Sequence, residues 1–182
     1  MRKIPTLFKR DPDNRSRLLR EVTPGCEWVT EGLGVPTLKI DGTCCLIKEG
    51  VLWKRREVKK GKPIPFVFRQ EAHDLISGKR FGWVPVTPED TWHQEAWEMG
   101  GHFKPDGTYE LVGPRVQGNP ENYDRHVLLR HGEQELDQVP TGFDELAEWL
   151  RGRDMEGIVW HHEDGRKAKI KQKDFGFTRG EA

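Results

Sequence analysis

Two tripeptides, Lys48-Glu49-Gly50 and Glu163-Asp164-Gly165, limit the fold most, because each separates two β-prone runs by no more than a tight turn. Thr43 to Ile47 and Val51 to Arg56 flank the first, and Ile158 to His161 and Lys167 to Lys171 flank the second. Turns this short join antiparallel neighbours, and Asp-Gly between strand-like runs is a strong local signal for such a hairpin. Further strands are expected at Tyr109-Glu110-Leu111-Val112 and from His126 to Leu129.

Helices are few. Thr87-Pro88-Glu89-Asp90 places a capping threonine, a proline at the first helical position and an acid at the third, ahead of a stretch that stops at Gly100-Gly101. Thr141 to Asp144 repeats the capping pattern, after which Phe143, Leu146, Ala147 and Leu150 mark one apolar face. A third helix is expected from Glu71 to Ser77. Antiparallel strands with a few inserted helices predict an α+β class, and 182 residues suit one domain, expected over 1–177 with a frayed tail at 178–182.

Charged residues make up 33% of the chain and hydrophobic residues 34%, with the apolar ones gathered in short runs, which fits a globular protein. The formal net charge is zero, so no global basic field is present, but basic residues crowd Arg2 to Arg20, Lys54 to Lys62 and Arg166 to Arg179. Cys26, Cys44 and Cys45 are odd in number and lack CxxC spacing, so neither a disulfide framework nor a zinc site is expected, and a reducing compartment fits. No apolar run approaches the length of a membrane span, and the N-terminus is charged. A soluble, cytoplasmic monomer without a membrane partner is expected.

The chemistry gathers around Lys39, two residues before Asp41-Gly42. A lone lysine is a poor nucleophile at neutral pH, and a second ammonium folded beside it is one way to strip its proton. At about 5 Å and an effective dielectric of about 20, two such groups repel by roughly 3 kcal/mol, or roughly two pKa units. Lys169 and Lys171 are candidates for that second charge. On a strand they share one face, while Ala168 and Ile170 share the other. They can bracket a phosphate, although a solvated strand edge gives the same pattern. Glu156 stands at the mouth of the strand beginning Gly157-Ile158, where a carboxylate can bind a hard cation or merely end the strand. Glu110 lies within an apolar strand, which demands a partner such as a ribose hydroxyl or a metal-bound water unless it faces solvent. Lys54-Arg55-Arg56-Glu57 offers an arginine to a nucleotide, or blunts a wet edge strand.

In this order, Lys-x-Asp-Gly, an arginine, a strand glutamate, Glu-Gly-Ile-Val and Lys-x-Lys resemble the motif series of the covalent nucleotidyltransferases, the polynucleotide ligases and capping guanylyltransferases. The strings KIDGTCC, YELVGPRVQGNPE and KIKQKDFG further resemble a small stand-alone ATP-dependent RNA ligase family that keeps only the nucleotidyltransferase domain. The resemblance implies an antiparallel-sheet nucleotidyltransferase domain, of ATP-grasp-like ligase adenylation type, without an OB domain. It implies that Lys39 attacks the α-phosphorus of ATP to form lysyl-AMP, that the adenylate passes to an RNA 5′-phosphate, and that a 3′-hydroxyl then displaces AMP. Lys169 and Lys171 would contact the α-phosphate. Glu156, with Glu110, would hold Mg²⁺ or Mn²⁺, and Leu38, Asp41, Gly42, Arg55 and Glu110 would complete the nucleotide contacts. Arg55 is preferred to Arg56 because it precedes the polar pair Arg56-Glu57.

Two departures stand out. The family places an adenine-stacking aromatic between the strand glutamate and Glu-Gly, where this chain reads His126-Val127-Leu128-Leu129. Only residues 172–182 follow Lys171, too few for the OB domain of capping enzymes, which disfavours a guanylyltransferase. The same motif series suits a DNA ligase, and a nucleotide- or RNA-binding module could keep the fold without the chemistry. Strand alternation would bury one of Cys44 and Cys45 and turn the other toward the pocket, with small hydrophobes packed under a hairpin as the plainer reading. His161-His162 reads as a solvated turn. Trp92 and Trp97 share one helix and read as packing residues, with RNA stacking a further option.

Overall fold

The computed structural model describes residues 3–181; Met1, Arg2 and Ala182 lie outside the described residues, and with them one end of the first basic segment and the last residue of the expected tail. Along the chain run strands β1 (Phe8–Arg10) and β2 (Leu18–Val22), helix α1 (Glu27–Thr30), strands β3 (Val35–Leu38), β4 (Thr43–Lys48), β5 (Val51–Val58), β6 (Arg69–Asp74) and β7 (Lys79–Pro85), helix α2 (Thr91–Glu98), strands β8 (Gly107–Val112) and β9 (Val127–Arg130), helix α3 (Phe143–Leu150), and strands β10 (Gly157–His161) and β11 (Lys167–Lys171). The sheets are antiparallel and the helices few, as the α+β class predicts. No described helix is long and apolar enough to cross a membrane. The residues gather into two compact units, one of residues 41–131 and one of residues 4–40 and 132–181.

The first unit is a six-stranded sheet in the order β6-β7-β5-β4-β8-β9. Its central hairpin closes where Lys48 faces Val51, with Glu49 and Gly50 both at positive φ (+55° and +72°), the backbone that a two-residue turn between twisted strands demands. Alternation sends Cys45, Ile47, Tyr109, Leu111 and Leu128 to one face, where they form a core with Leu52 and with Ala96 of α2.

Two expectations fail in this unit for electrostatic and sheet-pairing reasons. The helix expected from Thr87 starts at Thr91, because the Asp90 carboxylate turns back to accept the Thr87 backbone N–H (2.8 Å) and hydroxyl (3.1 Å) while also pairing with Lys54. Thr87 is thus capped and does not cap. The helix expected at Glu71–Ser77 is instead strand β6, which pairs antiparallel with β7. It ends where the Asp74 carboxylate accepts the Ile76 N–H (3.0 Å) and the Ser77 hydroxyl (2.7 Å). Strand β9 begins at Val127, one residue later than expected.

The second unit carries the sheet β11-β10-β3 and the separate hairpin β1-β2. Central β10 is buried from Gly157 through Trp160, and residues 5–7 run along the outer edge of β11, where Leu7 N–H bonds Lys169 O (2.8 Å) and Lys169 N–H bonds Pro5 O (3.0 Å). At Lys169 the outer edge of β11 is thereby paired. Helix α3 starts after Gly142 rather than at Thr141, but its apolar face is as expected, with Leu146 and Leu150 fully buried against Ile158, Ala168 and Ile170. Leu7, Trp28 and Trp160 complete that core.

Gly157 opens β10 at a point where no side chain fits: a Cβ there would lie 2.1 Å from the Ile170 carbonyl oxygen. Overpacking of this kind costs about 1–3 kcal/mol. Gly157→Ala is therefore expected to lower unfolding free energy by about that amount in urea titration, and an unchanged midpoint would contradict the tight approach of β10 and β11.

Candidate active site

In the sheet β11-β10-β3, Gly157 faces Lys171 across one ladder and accepts the Lys39 backbone N–H (2.9 Å) across the other. The chain therefore leaves β3 at Lys39, enters β10 at Glu156 and ends β11 at Lys171, all in one row across the sheet. The Glu156 carboxylate joins them: Oε2 accepts from Lys39 Nζ and Oε1 from Lys171 Nζ. The three side chains are 12–19% exposed, so both ion pairs are largely withdrawn from water. Burial works to raise the Glu156 pKa, but Lys39 and Lys171 outweigh it and the pKa falls below the ordinary carboxylate value.

Lys169 lies two residues before Lys171 and hence on the same face of β11, while Ala168 and Ile170 face the core at 0% exposure, as strand alternation predicts. Burial, and then the charges of Lys171 and Lys39, lower its pKa to about 8, against the opposing pull of Glu156 and Asp174. Asp174 is buried at 5%, accepts the Lys171 backbone N–H (3.0 Å) and pairs with Arg10, which fixes the end of β11. Leu38 packs against the core of the same unit.

In the unit of residues 41–131, the β4–β8 ladder sets Cys44 opposite Glu110. Both point away from the buried face of Cys45, Tyr109 and Leu111. Glu110 is 12% exposed, and the partner that its burial demands is His131, whose Nε2 lies 2.8 Å from Oε2. Sequence reasoning passed over His131; the available signal was its place two residues beyond Leu129, the residue that pairs with Glu110. Trp53 faces Leu46, so alternation puts Arg55 on the face of Cys44 and Glu110 and Arg56 on the other. The Arg55 guanidinium lies 5.4 Å from the Phe81 ring centroid. Asp41 donates its N–H to Glu121 (2.9 Å), and a Cβ on Gly42 would lie 2.2 Å from Leu111 O, so that motif glycine permits a close backbone approach. Strand β9 carries no Phe, Tyr or Trp. Of the tryptophans of α2, Trp92 is exposed and stacks on His126 at 5.9 Å, whereas Trp97 is half-buried and packs against the core.

The site residues expected from sequence thus fall into two groups. Leu38, Lys39, Glu156, Lys169 and Lys171 belong to the unit of residues 4–40 and 132–181. Asp41, Gly42, Arg55 and Glu110 belong to the other. His131 joins the second group without having been expected there, and Cys44 is the member of the Cys44–Cys45 pair that strand alternation turns away from the core, Cys45 being the buried one. His161 closes β10, and His162 is more buried than a solvated turn would make it, its side chain 10% exposed and its Nδ1 2.9 Å from Asp164.

The sequence model of the RNA ligase 1 family matches residues 102–181 of this chain, a segment that holds Glu110, Glu156, Lys169 and Lys171. The chain is 25% identical to RNA ligase 1 of Danio rerio, over 96% of this chain and 80% of that protein. It is 28% identical to RNA ligase 1 of Rattus norvegicus over 68% of this chain, and 33% identical to that of Pongo abelii over 38%. These alignments cover 46% and 24% of the two mammalian proteins. Motif order and relatives agree in supporting an RNA ligase family for this chain.

Proposed function

We propose that this chain is an ATP-dependent RNA ligase with a nucleotidyltransferase fold, which joins RNA 5′-phosphate and 3′-hydroxyl ends through a lysyl-AMP intermediate on Lys39. The observation that carries the reading is the sharing of one carboxylate, Glu156, by Lys39 and Lys171, with Lys169 on the same strand face. An ion pair fixes Lys39 Nζ at a defined point, and positioning of this sort is worth several kcal/mol of barrier in a displacement at phosphorus. With its proton gone to solvent, the Nζ lone pair forms the N–P bond as the bond from the α-phosphorus to its bridging oxygen breaks, and pyrophosphate departs with that electron pair. Lys169 and Lys171 offset the negative charge that gathers on the α-phosphoryl oxygens. Arg55 and Glu110 orient the ribose or the neighbouring phosphates, and Leu38, Asp41 and Gly42 shape the backbone on either side of the nucleophile. The adenylate then moves to the RNA 5′-phosphate, and the 3′-hydroxyl displaces AMP as the new phosphodiester forms.

Mg²⁺ or Mn²⁺ would neutralise the phosphates during these displacements. Glu156 suits such an ion by donor type, an ionised carboxylate that can share a hard cation with substrate phosphates, and Glu110 is the second acid proposed for it. The protein would act as a monomer in a reducing, cytoplasmic setting, in keeping with cysteine spacing that suggests no disulfide framework.

Incubation with each α-labelled nucleoside triphosphate and Mg²⁺ tests this reading. ATP alone is expected to give a covalent adduct, acid-labile and base-stable, which chases into sealed RNA when 5′-phosphate and 3′-hydroxyl ends are added. Lys39→Ala and Lys39→Arg should both give none, since arginine stays protonated. A GTP adduct would indicate a guanylyltransferase, and tight ATP binding without adduct a binding module; either refutes the proposal. Lys169→Met should slow adduct formation by about 10²-fold. The same substitution has a pH signature in stability. Lys169 titrates near 8 in the fold against 10.5 for an ordinary lysine, so between those values the unfolded chain holds the extra proton and stability rises with pH. Below pH 8 the full penalty of keeping the buried ammonium is present. Lys169→Met is thus expected to raise the melting temperature at pH 7, with the gain gone by about pH 10.5; no gain at pH 7 would contradict the buried charge.

A further inference from the structure

Cys44, Glu110 and His131 come from three different stretches of sequence, and no spacing rule links them. The sheet brings them together: Cys44 and Glu110 are cross-strand partners, and His131, just past β9, donates its backbone N–H to Thr108 O (3.1 Å), two residues before Glu110 on the same strand. One ligand atom from each, the Cys44 sulfur, a Glu110 carboxylate oxygen and a His131 ring nitrogen, lies within 4.8 Å of the other two. We propose that Cys44, Glu110 and His131 form a binding site for a divalent transition-metal ion of borderline softness, of which Zn²⁺ is the type.

The donor set selects the class of ion. Thiolate, imidazole and carboxylate together suit Zn²⁺ and Co²⁺, whereas Mg²⁺ demands oxygens and is poorly served by sulfur. Three protein donors leave a fourth tetrahedral position for water or a substrate oxygen. Zinc-ligand lengths put donors about 3.5 Å apart in a tetrahedral site, so the three atoms need close by only about 1 Å, within reach of side-chain rotation. His131 Nε2 lies 2.8 Å from Glu110 Oε2, so an ion seated between them replaces that hydrogen bond with two metal–ligand bonds, the Nε2 proton leaving as Nδ1 takes one up and Nε2 gives its lone pair to the metal. On binding, the sulfur–metal bond forms as the Cys44 thiol proton passes to solvent. Neither of the other cysteines can replace Cys44, since Cys26 and Cys45 are wholly buried and burial raises the pKa of both thiols. The site shares Glu110 with the nucleotide contacts proposed above, but its test uses neither ATP nor RNA, so the two readings fail separately.

Titration of the full chain with Co²⁺ near neutral pH should produce one equivalent of a thiolate-to-cobalt charge-transfer band, discharged stoichiometrically by Zn²⁺ and unaffected by excess Mg²⁺. Cys44→Ser should abolish the band and Cys26→Ser should leave it. His131→Ala should weaken Co²⁺ binding at least about tenfold. Circular dichroism of each variant separates loss of the site from loss of the fold. No charge-transfer band, a band that survives Cys44→Ser in a folded variant, or undiminished affinity in His131→Ala would overturn the proposal.

Discussion

The carboxylate of Glu156 stands between two ammonium groups that would otherwise repel, Lys39 on one oxygen and Lys171 on the other. At about 4 Å and an effective dielectric of about 20, each such pair is worth roughly 4 kcal/mol before desolvation is subtracted, and loss of the carboxylate would leave like charges facing each other in a half-buried site. The backbone puts it there. Because β10 is the middle strand, residues just outside its first position reach both neighbours, and Gly157 lets β11 approach closely enough for the row to form.

Alternation along the strands performs a comparable sorting in the six-stranded sheet. One face of β4 and β8 supplies Cys45, Ile47, Tyr109 and Leu111 to the core, and the other presents Cys44 and Glu110. A pleat of period two therefore separates packing from chemistry within single strands. Glu110 is retained on an otherwise apolar strand because His131 satisfies it. That compensation is what a buried acid requires.

The hairpins at Glu49-Gly50 and Asp164-Gly165 were legible because turn chemistry is local, and the shared face of Lys169 and Lys171 because strand periodicity is fixed. Strand β6 was mistaken for a helix because its pairing with β7 lies outside any local window. The start of α2 was misplaced because the decisive contact, Asp90 with Thr87 and Lys54, turns a capping pattern around. Short strands β1 to β3 carry little signal of their own, and β3 finds its partner far along the chain in β10, Leu38 facing Ile158. The same non-locality hid the Cys44–Glu110–His131 group, which depends on strand order. It also hid the lowered pKa of Lys169, since that follows from burial, a property of the finished fold.

The electrostatics of the lysine cluster can be measured without any substrate. Titration of the Lys169 side chain by lysine-selective NMR should give a midpoint near 8, and Glu156→Gln, which removes the carboxylate paired with Lys39 and Lys171, should lower it further. A midpoint close to 10.5, unmoved by Glu156→Gln, would show that the three lysines do not share one confined field and would contradict the account at its centre.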